Sequence, residues 1–429
     1  MSHANDGPRF HDFTLVSFDR HGVLRDEGDL VASLVETLRR PSGPPVTDVF
    51  VFSHGWLNDR AQATATYREW IRGMGEYYFA RRDEIQRRRP GFHPLLVGVH
   101  WPSAPWEDQR RLTTVEERVA FYADVIGHEA ATDDLRPLLE QADRDPDTLS
   151  KENEARLHRL DELSGLRHDR VGAPPGHDRA AFEAKRIFAR FRRADWRRSL
   201  DSGLLRTLLA PLWVTSFWKM KNRAVKVGHG GVHGLLRTLR QAGDPDVRVH
   251  LIGHSFGGVV CAGAVQGPDG ASPLAPVHSL TLLQGALSLW SFAPEIPDSH
   301  RTGYFHPVIE RGLVAGPVVA TQSSHDRALG WFYKAAATLS KADHLAPGED
   351  ARLPRYGAVG SHGVAGLPDR TVALTAGASQ LRFRMESGRC YNVESSALID
   401  GGALSPVGAH SNLSHPSVAA LVWEAATSA

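Results

Sequence analysis

The sequence predicts an α/β fold: a mostly parallel central sheet with helices on both faces and a helical, charged insertion. Three observations predict it. Strand-like runs alternate with helical ones, as successive βαβ units do. Two of these runs, Asp48–Ser53 and Leu95–Val99, are almost continuously apolar, as strands buried on both faces are. Between about 104 and 226 the alternation stops and charged, helix-prone sequence takes over. The expected division is therefore a core of residues 10–104 and 226–429, with 105–225 as a cap or lid.

The elements follow in order. Phe13-Thr-Leu-Val-Ser-Phe18 reads as an edge strand. After Asp48–Ser53, Trp70, Ile71, Met74, Tyr77 and Tyr78 recur at helical spacing. Leu95–Val99 runs into His100-Trp-Pro-Ser103. Residues 141–185 are dominated by charge and broken by Pro174-Pro-Gly176, so exposed helices and loops are expected. Lys185, Arg186, Arg190, Arg192, Arg193, Arg197 and Arg198 then face only Asp195, which reads first as a solvated helix face. Leu204–Trp218 is the most apolar part of the insertion. Val232, Leu235, Leu236 and Leu239 form a helical stripe. Beyond residue 266, Ser279–Leu283 and Gly316–Thr321 read as strands, with a last strand near Cys390–Val393. Residues 346–379, rich in Gly, Ala and Pro, are expected as a long surface excursion. His415–Ala426 closes the chain as a helix opened by Pro416.

Bulk properties narrow the function. The 429 residues suffice for one large catalytic domain with an insertion or for two to three small ones. Lys plus Arg is 50 against 49 for Asp plus Glu, so charge draws the chain neither to nucleic acid nor to an anionic membrane. Cys261 and Cys390 make neither a disulfide framework nor a metal cluster. The start Met1-Ser-His-Ala-Asn-Asp-Gly lacks the basic and apolar runs of a signal peptide, so a cytoplasmic protein is expected. No cofactor is implied.

The chemistry concentrates at Gly253-His-Ser-Phe-Gly257. Val247–Ile252 before it is β-like, and Gly258–Val265 after it is small and apolar, as in a helix pressed onto a sheet. A G-x-S-x-G between strand and helix is a nucleophile elbow, which lifts the serine hydroxyl above the sheet edge. Gly253 and Gly257 relieve the tight crossing. A serine becomes a nucleophile when an imidazole takes its proton and a carboxylate orients that imidazole. After Leu283 no acid occurs until Glu295 and Asp298. After the next strand, Gln322-Ser-Ser-His-Asp326 puts Asp326 where an orienting carboxylate belongs; its plainer role is a turn or helix cap. For the base there are two candidates, His410 in Gly408-Ala-His-Ser411 and His415 before Pro416. His410 is preferred, because His415 or Ser414 suits a helix cap. Oxyanion donors are expected from the N–H of Phe256 and from the loop His54-Gly55-Trp56, through Trp56. Losing one such donor costs about 3 kcal/mol of transition-state stabilisation. His54 is expected to brace that loop. His229 and His233 stand at i,i+4, but no acid or cysteine motif accompanies them, so a metal site is not expected there.

With His54-Gly-Trp56, Trp101-Pro-Ser103, Gly253–Gly257, Ser324-His-Asp-Arg-Ala328 and Gly408–Ser411 in this order, the chain resembles the α/β-hydrolase superfamily. The likeness runs from about residue 10 to the end, excluding most of 105–225. It is nearest to bacterial lipase- or esterase-like serine hydrolases with a helical insertion. It implies Ser255, Asp326 and His410 as the triad and Trp56 and Phe256 as the oxyanion hole. The chain lacks a His-Gly-Gly-Gly oxyanion motif. The implied substrate is a small-molecule or lipid carboxylic ester, without nucleic acid. Beside the basic stretch, Leu204–Trp218 also admits a peripheral membrane contact. The rival class is a non-catalytic or partner-gated scaffold that uses the charged insertion as its interaction surface.

Overall fold

The computed structural model describes residues 10, 12–25, 29–103, 114–168, 170–193, 207–271, 274–297, 299–326, 333, 353–376, 384–399, 413 and 415–428. Its strands are β1 (Thr14–Phe18), β2 (Leu24–Arg25), β3 (Asp48–Ser53), β4 (Pro94–His100), β5 (Arg248–His254), β6 (Ser279–Leu283), β7 (Val318–Gln322), β8 (Thr371–Thr375) and β9 (Cys390–Glu394). They join in one sheet in the order β2-β1-β4-β3-β5-β6-β7-β9-β8. Every pairing is parallel except β1 with β2. The protein therefore has an α/β fold with a mostly parallel central sheet and flanking helices.

The helices are α1 (Leu30–Arg39), α2 (Arg60–Ala80), α3 (Arg82–Arg88), α4 (Val115–Ile126), α5 (Ala131–Arg144), α6 (Lys151–Leu163), α7 (Ala184–Arg193), α8 (Ala210–Val227), α9 (His233–Ala242) and α10 (Phe256–Gln266), with a C-terminal helix (Pro416–Ser428). The two-residue period of the strands divides them between two layers. Val49, Val51, Val249 and Leu251 face the core shared with α8, α9 and α10. Phe50, Phe52 and Ile252 face the opposite core, built by α2 and the C-terminal helix around Tyr67, Met74 and Trp423. The helix after β3 and the helix after β5 thus lie on opposite sides of the sheet. The carboxyl ends of β3 and β5 consequently form a topological switch point, the place where open α/β sheets leave a crevice.

Local chemistry fixes where α2 begins. Asp59 accepts the Gln62 N–H at 2.7 Å while the Gln62 side chain accepts the Asp59 N–H at 3.0 Å, a complete capping box. On the other face, α8 and α9 run together through a π-helical turn at Gly228–Val232. A Cβ on Gly228 would collide with the Val260 carbonyl oxygen, so this glycine is what lets the rod lie against α10.

The described part of the 105–225 stretch packs together and meets α10 through α8. Of α8, Pro211, Trp213, Phe217, Trp218 and Lys221 are all buried, and α8 continues past residue 225, the expected end of the insertion. Asp161 and Arg179 form a buried two-pronged ion pair at 2.8 and 2.7 Å, with Thr215 donating to the same carboxylate at 2.7 Å. In α7, Ile187, Phe188 and Phe191 are buried while Lys185, Arg186, Arg192 and Arg193 are exposed. The described part of Leu204–Trp218, residues 207–218, is turned inward. Trp213, Phe217 and Trp218 are 9, 2 and 0 % exposed.

Two expectations need correction. Phe13–Phe18 contributes a strand, β1, but the short β2 lies outside it at the sheet edge. Residues 346–379, expected as a surface excursion, supply the opposite edge strand, β8, and a helical turn, Val359–His362, with Ala358, Val359 and Val364 buried. Parallel strands need a long crossover between them, and β8 pairs with β9 only after one that spans residues 376–389.

Candidate active site

Ser255 joins β5 to α10 with φ 55° and ψ −121°, and it is 3 % exposed. A positive φ is uncommon outside glycine and costs about 1–3 kcal/mol, retained where surrounding structure enforces it. Here the enforcement is visible. The Ser255 N–H donates to the Leu283 carbonyl at 3.0 Å, and its own carbonyl accepts from Gly258 at 3.1 Å and from Ala286 at 3.0 Å. The motif glycines have steric reasons. A Cβ on Gly257 would drive into the Ser53 carbonyl, and one on Gly253 would meet the backbone of Gly257 and Gly258. Replacing Gly257 by alanine is expected to destabilise the fold by several kcal/mol, since the obstacle is strand backbone rather than a side chain that can turn away. Chemical denaturation checks this; an unchanged midpoint contradicts it.

The loop after β3 is pressed against this serine. A Cβ on Gly55 would lie 2.7 Å from the Ser255 Cβ. Leu57, next to Trp56, has φ 62°, and Gln284, just after β6, has φ 46°. Of the five non-glycine residues with positive φ among the described residues, three (Leu57, Ser255 and Gln284) follow the adjacent strands β3, β5 and β6. Strain of this kind gathers at functional sites.

His54 braces its loop and is itself wholly buried. Its Nε2 accepts the Trp101 N–H at 3.3 Å, so Nδ1 carries the proton and donates to the Gly55 carbonyl at 2.9 Å. The ring stacks on Trp101 at 7° and 5.6 Å between centroids. Tyr67 donates to the Val99 carbonyl at 2.6 Å and accepts the His54 N–H at 2.7 Å. Burial pushes the His54 pKa down to about 3. An unfolded histidine titrates near 6.5, so between those values the unfolded chain binds the extra proton and stability falls as pH falls. At pH 5 His54 alone is expected to cost about 2 kcal/mol relative to neutral pH. Denaturation midpoints at pH 7 and pH 5 test this, and substitution of His54 by glutamine should shrink the difference.

Phe256 is the first residue of α10, where a helix N–H lacks an intrahelical acceptor. Its ring packs on Phe217 at 4.8 Å and on Trp56 at 6.1 Å between centroids, and Trp56 packs on Phe217 at 5.4 Å. Helix α8 of the insertion therefore roofs both expected oxyanion residues.

Asp326 is 3 % exposed just beyond β7, in a turn where its N–H donates to Ser323 at 3.2 Å. One strand, β6, separates β5 from β7, so the carboxyl ends of those two strands stand about 10 Å apart, with Ser255 directly after the first and Asp326 four residues beyond the second. His410 lies outside the described residues. His415 behaves as a cap: its Nδ1 accepts the Ser417 N–H at 3.2 Å at the start of the C-terminal helix. It also lines an apolar groove with Phe52, Trp70, Ile252, Leu283 and Val418. His233 Nδ1 is taken up by the Ala264 carbonyl at 2.8 Å, and His229 stacks on Tyr304.

Sequence reading missed a serine–histidine–aspartate array that the structure does contain. Ser279 Oγ lies 2.9 Å from His250 Nδ1, and Asp48 Oδ1 lies 3.2 Å from His250 Nε2. All three are at most 2 % exposed and lie toward the amino ends of β3, β5 and β6, the end of the sheet opposite Ser255. The only sequence signal is polar residues placed within apolar strand runs. Compared with known proteins, the chain matches no family model, no curated protein and no solved structure.

Proposed function

We propose that the protein is a serine hydrolase that cleaves a carboxylic ester through an acyl-enzyme on Ser255. The observation that carries this reading is the strained, non-glycine backbone of Ser255 at the switch point, hydrogen-bonded to the last residue of β6 and to the segment after it. In the proposed sequence Ser255 Oγ attacks the ester carbonyl as His410 takes its proton. The tetrahedral oxyanion is received by the N–H groups of Phe256 and Trp56. Collapse expels the alcohol, protonated by His410, and water then releases the acid by the same steps. Asp326 orients the imidazole. The apolar groove next to Leu283, whose carbonyl holds the Ser255 N–H, supports an aliphatic acyl group.

Reaction with a fluorophosphonate probe, followed by peptide mass mapping, tests the reading. A single adduct on Ser255 is expected. No adduct on folded protein overturns it and favours the scaffold alternative. Asp326→Asn is expected to lower kcat about 10⁴-fold while leaving the fold intact. Comparison of esterase rates with the denaturation midpoint checks it, and a loss below tenfold removes Asp326 from the role.

A further inference from the structure

Gln284 combines two features that folding alone leaves unexplained. Its backbone is left-handed, φ 46°, although it is not glycine. Its side chain is wholly buried, yet among the described residues neither Oε1 nor Nε2 has a hydrogen-bond partner. Buried amides are almost always satisfied, and an orphaned one calls for a reason. The surroundings hold it in place. The Gln284 N–H donates to Thr321 Oγ1 at 2.9 Å, the Gly360 N–H to the Gly285 carbonyl at 2.9 Å, and the Ala286 N–H to the Ser255 carbonyl at 3.0 Å. Ser255 is thus hydrogen-bonded on either side of this position, to Leu283 before it and to Ala286 two residues after it. Two further orphaned atoms lie along the same edge, Ser53 Oγ at the end of β3 and Gln322 Oε1 at the end of β7.

We infer that Gln284 is a specificity-determining residue whose amide binds a hydroxyl or carboxamide carried by the substrate beside the ester carbonyl. This rests on the hydrolase reading above and names its substrate class as a polar-substituted rather than plain aliphatic ester. The choice between a substrate group and the catalytic imidazole follows from valence. A neutral imidazole nitrogen presents either a donor or an acceptor and satisfies one atom of the amide. A hydroxyl is donor and acceptor together and satisfies both. A site with buried polar groups rejects the analogue lacking their partner far more strongly than an apolar pocket rejects a missing methylene.

The test compares kcat/KM for the p-nitrophenyl esters of 3-hydroxybutyrate and butyrate in the wild type and in Gln284→Leu. The wild type is expected to prefer the hydroxylated ester by about tenfold or more, and Gln284→Leu to bring the ratio near one. The denaturation midpoint of the variant should equal or exceed that of the wild type, because an orphaned amide is replaced by an apolar group of similar size. A structural role would lower it. An unchanged ratio, a wild type without preference, or a marked loss of stability each overturns the assignment. Fluorophosphonate reactivity is measured alongside. Wild type that fails to react removes the hydrolase reading and this inference with it, whereas reactive wild type with an unchanged ratio sinks Gln284 alone.

Discussion

Ser255→Ala is expected to lower ester turnover by about 10⁶-fold while leaving a folded protein that no longer takes up a fluorophosphonate. The size follows from what the substitution removes. Without Oγ no acyl-enzyme forms, and a general base with nothing to deprotonate is idle. What survives is binding together with the oxyanion donors, worth a residual 10³–10⁴ over water in enzymes of this type. Alanine retains the Cβ and therefore the constraint at φ 55°, so stability should move little. Loss of rate without loss of stability is the signature of a reacting atom; parallel loss of both would mean the variant has simply unfolded.

Ser255→Gly separates strain from chemistry at the same position. Glycine adopts positive φ freely and relieves about 1–3 kcal/mol of strain. It also adds about 0.5–1 kcal/mol of unfolded-chain entropy. The net expectation is an inactive protein more stable than wild type by about 1 kcal/mol. A glycine variant less stable than the alanine variant would show that the Ser255 conformation is not strained.

Much of this arrangement is legible in the residue order, and the reasons are local. β3 and β4 announce themselves because strands buried on both faces are almost continuously apolar, and α10 because small residues are needed where the helix meets Gly228 and the sheet. The brace role of His54 follows from its place between a buried strand and a tight loop. β8 escapes such a reading: its residues, from Thr371 to Thr375, alternate only between half-buried and exposed at a sheet edge. Gln284 escapes because nothing in its neighbours in sequence marks a left-handed glutamine; the constraint comes from Thr321, Gly360 and Ser255, all distant along the chain. The inward turn of Trp213, Phe217 and Trp218 is likewise set by partners, Trp56, Phe256 and Tyr333, that an apolar run cannot name. An apolar face reads the same whether it meets lipid or another helix.

Lys221 is the sharpest instance, because a lysine in a helix is ordinarily solvated and this one is wholly buried. Its Nζ donates to Asp178 Oδ2 at 2.6 Å and to the Tyr333 hydroxyl at 2.6 Å, and it lies 4.9 Å from the Trp218 ring centroid. Tyr333 donates in turn to the Ala286 carbonyl at 2.8 Å, and the Ala286 N–H holds the Ser255 carbonyl. One node therefore joins α8, the 171–180 loop, the segment beyond Asp326 and the elbow. Burial pushes the Lys221 pKa down, while Asp178 opposes that shift. Lys221→Met removes the cation but leaves the Asp178 carboxylate in the same dry surroundings. The expected cost is about 3–5 kcal/mol, since breaking one side of a buried pair strands the other charge. Replacing both, in Lys221→Met with Asp178→Leu, removes the stranded charge as well and should recover most of that loss, because a buried pair gains little over a well-packed apolar one. Denaturation of the single and double variants decides the matter. If the double variant is as unstable as the single one, the node stabilises through its geometry around Tyr333 rather than through charge balance.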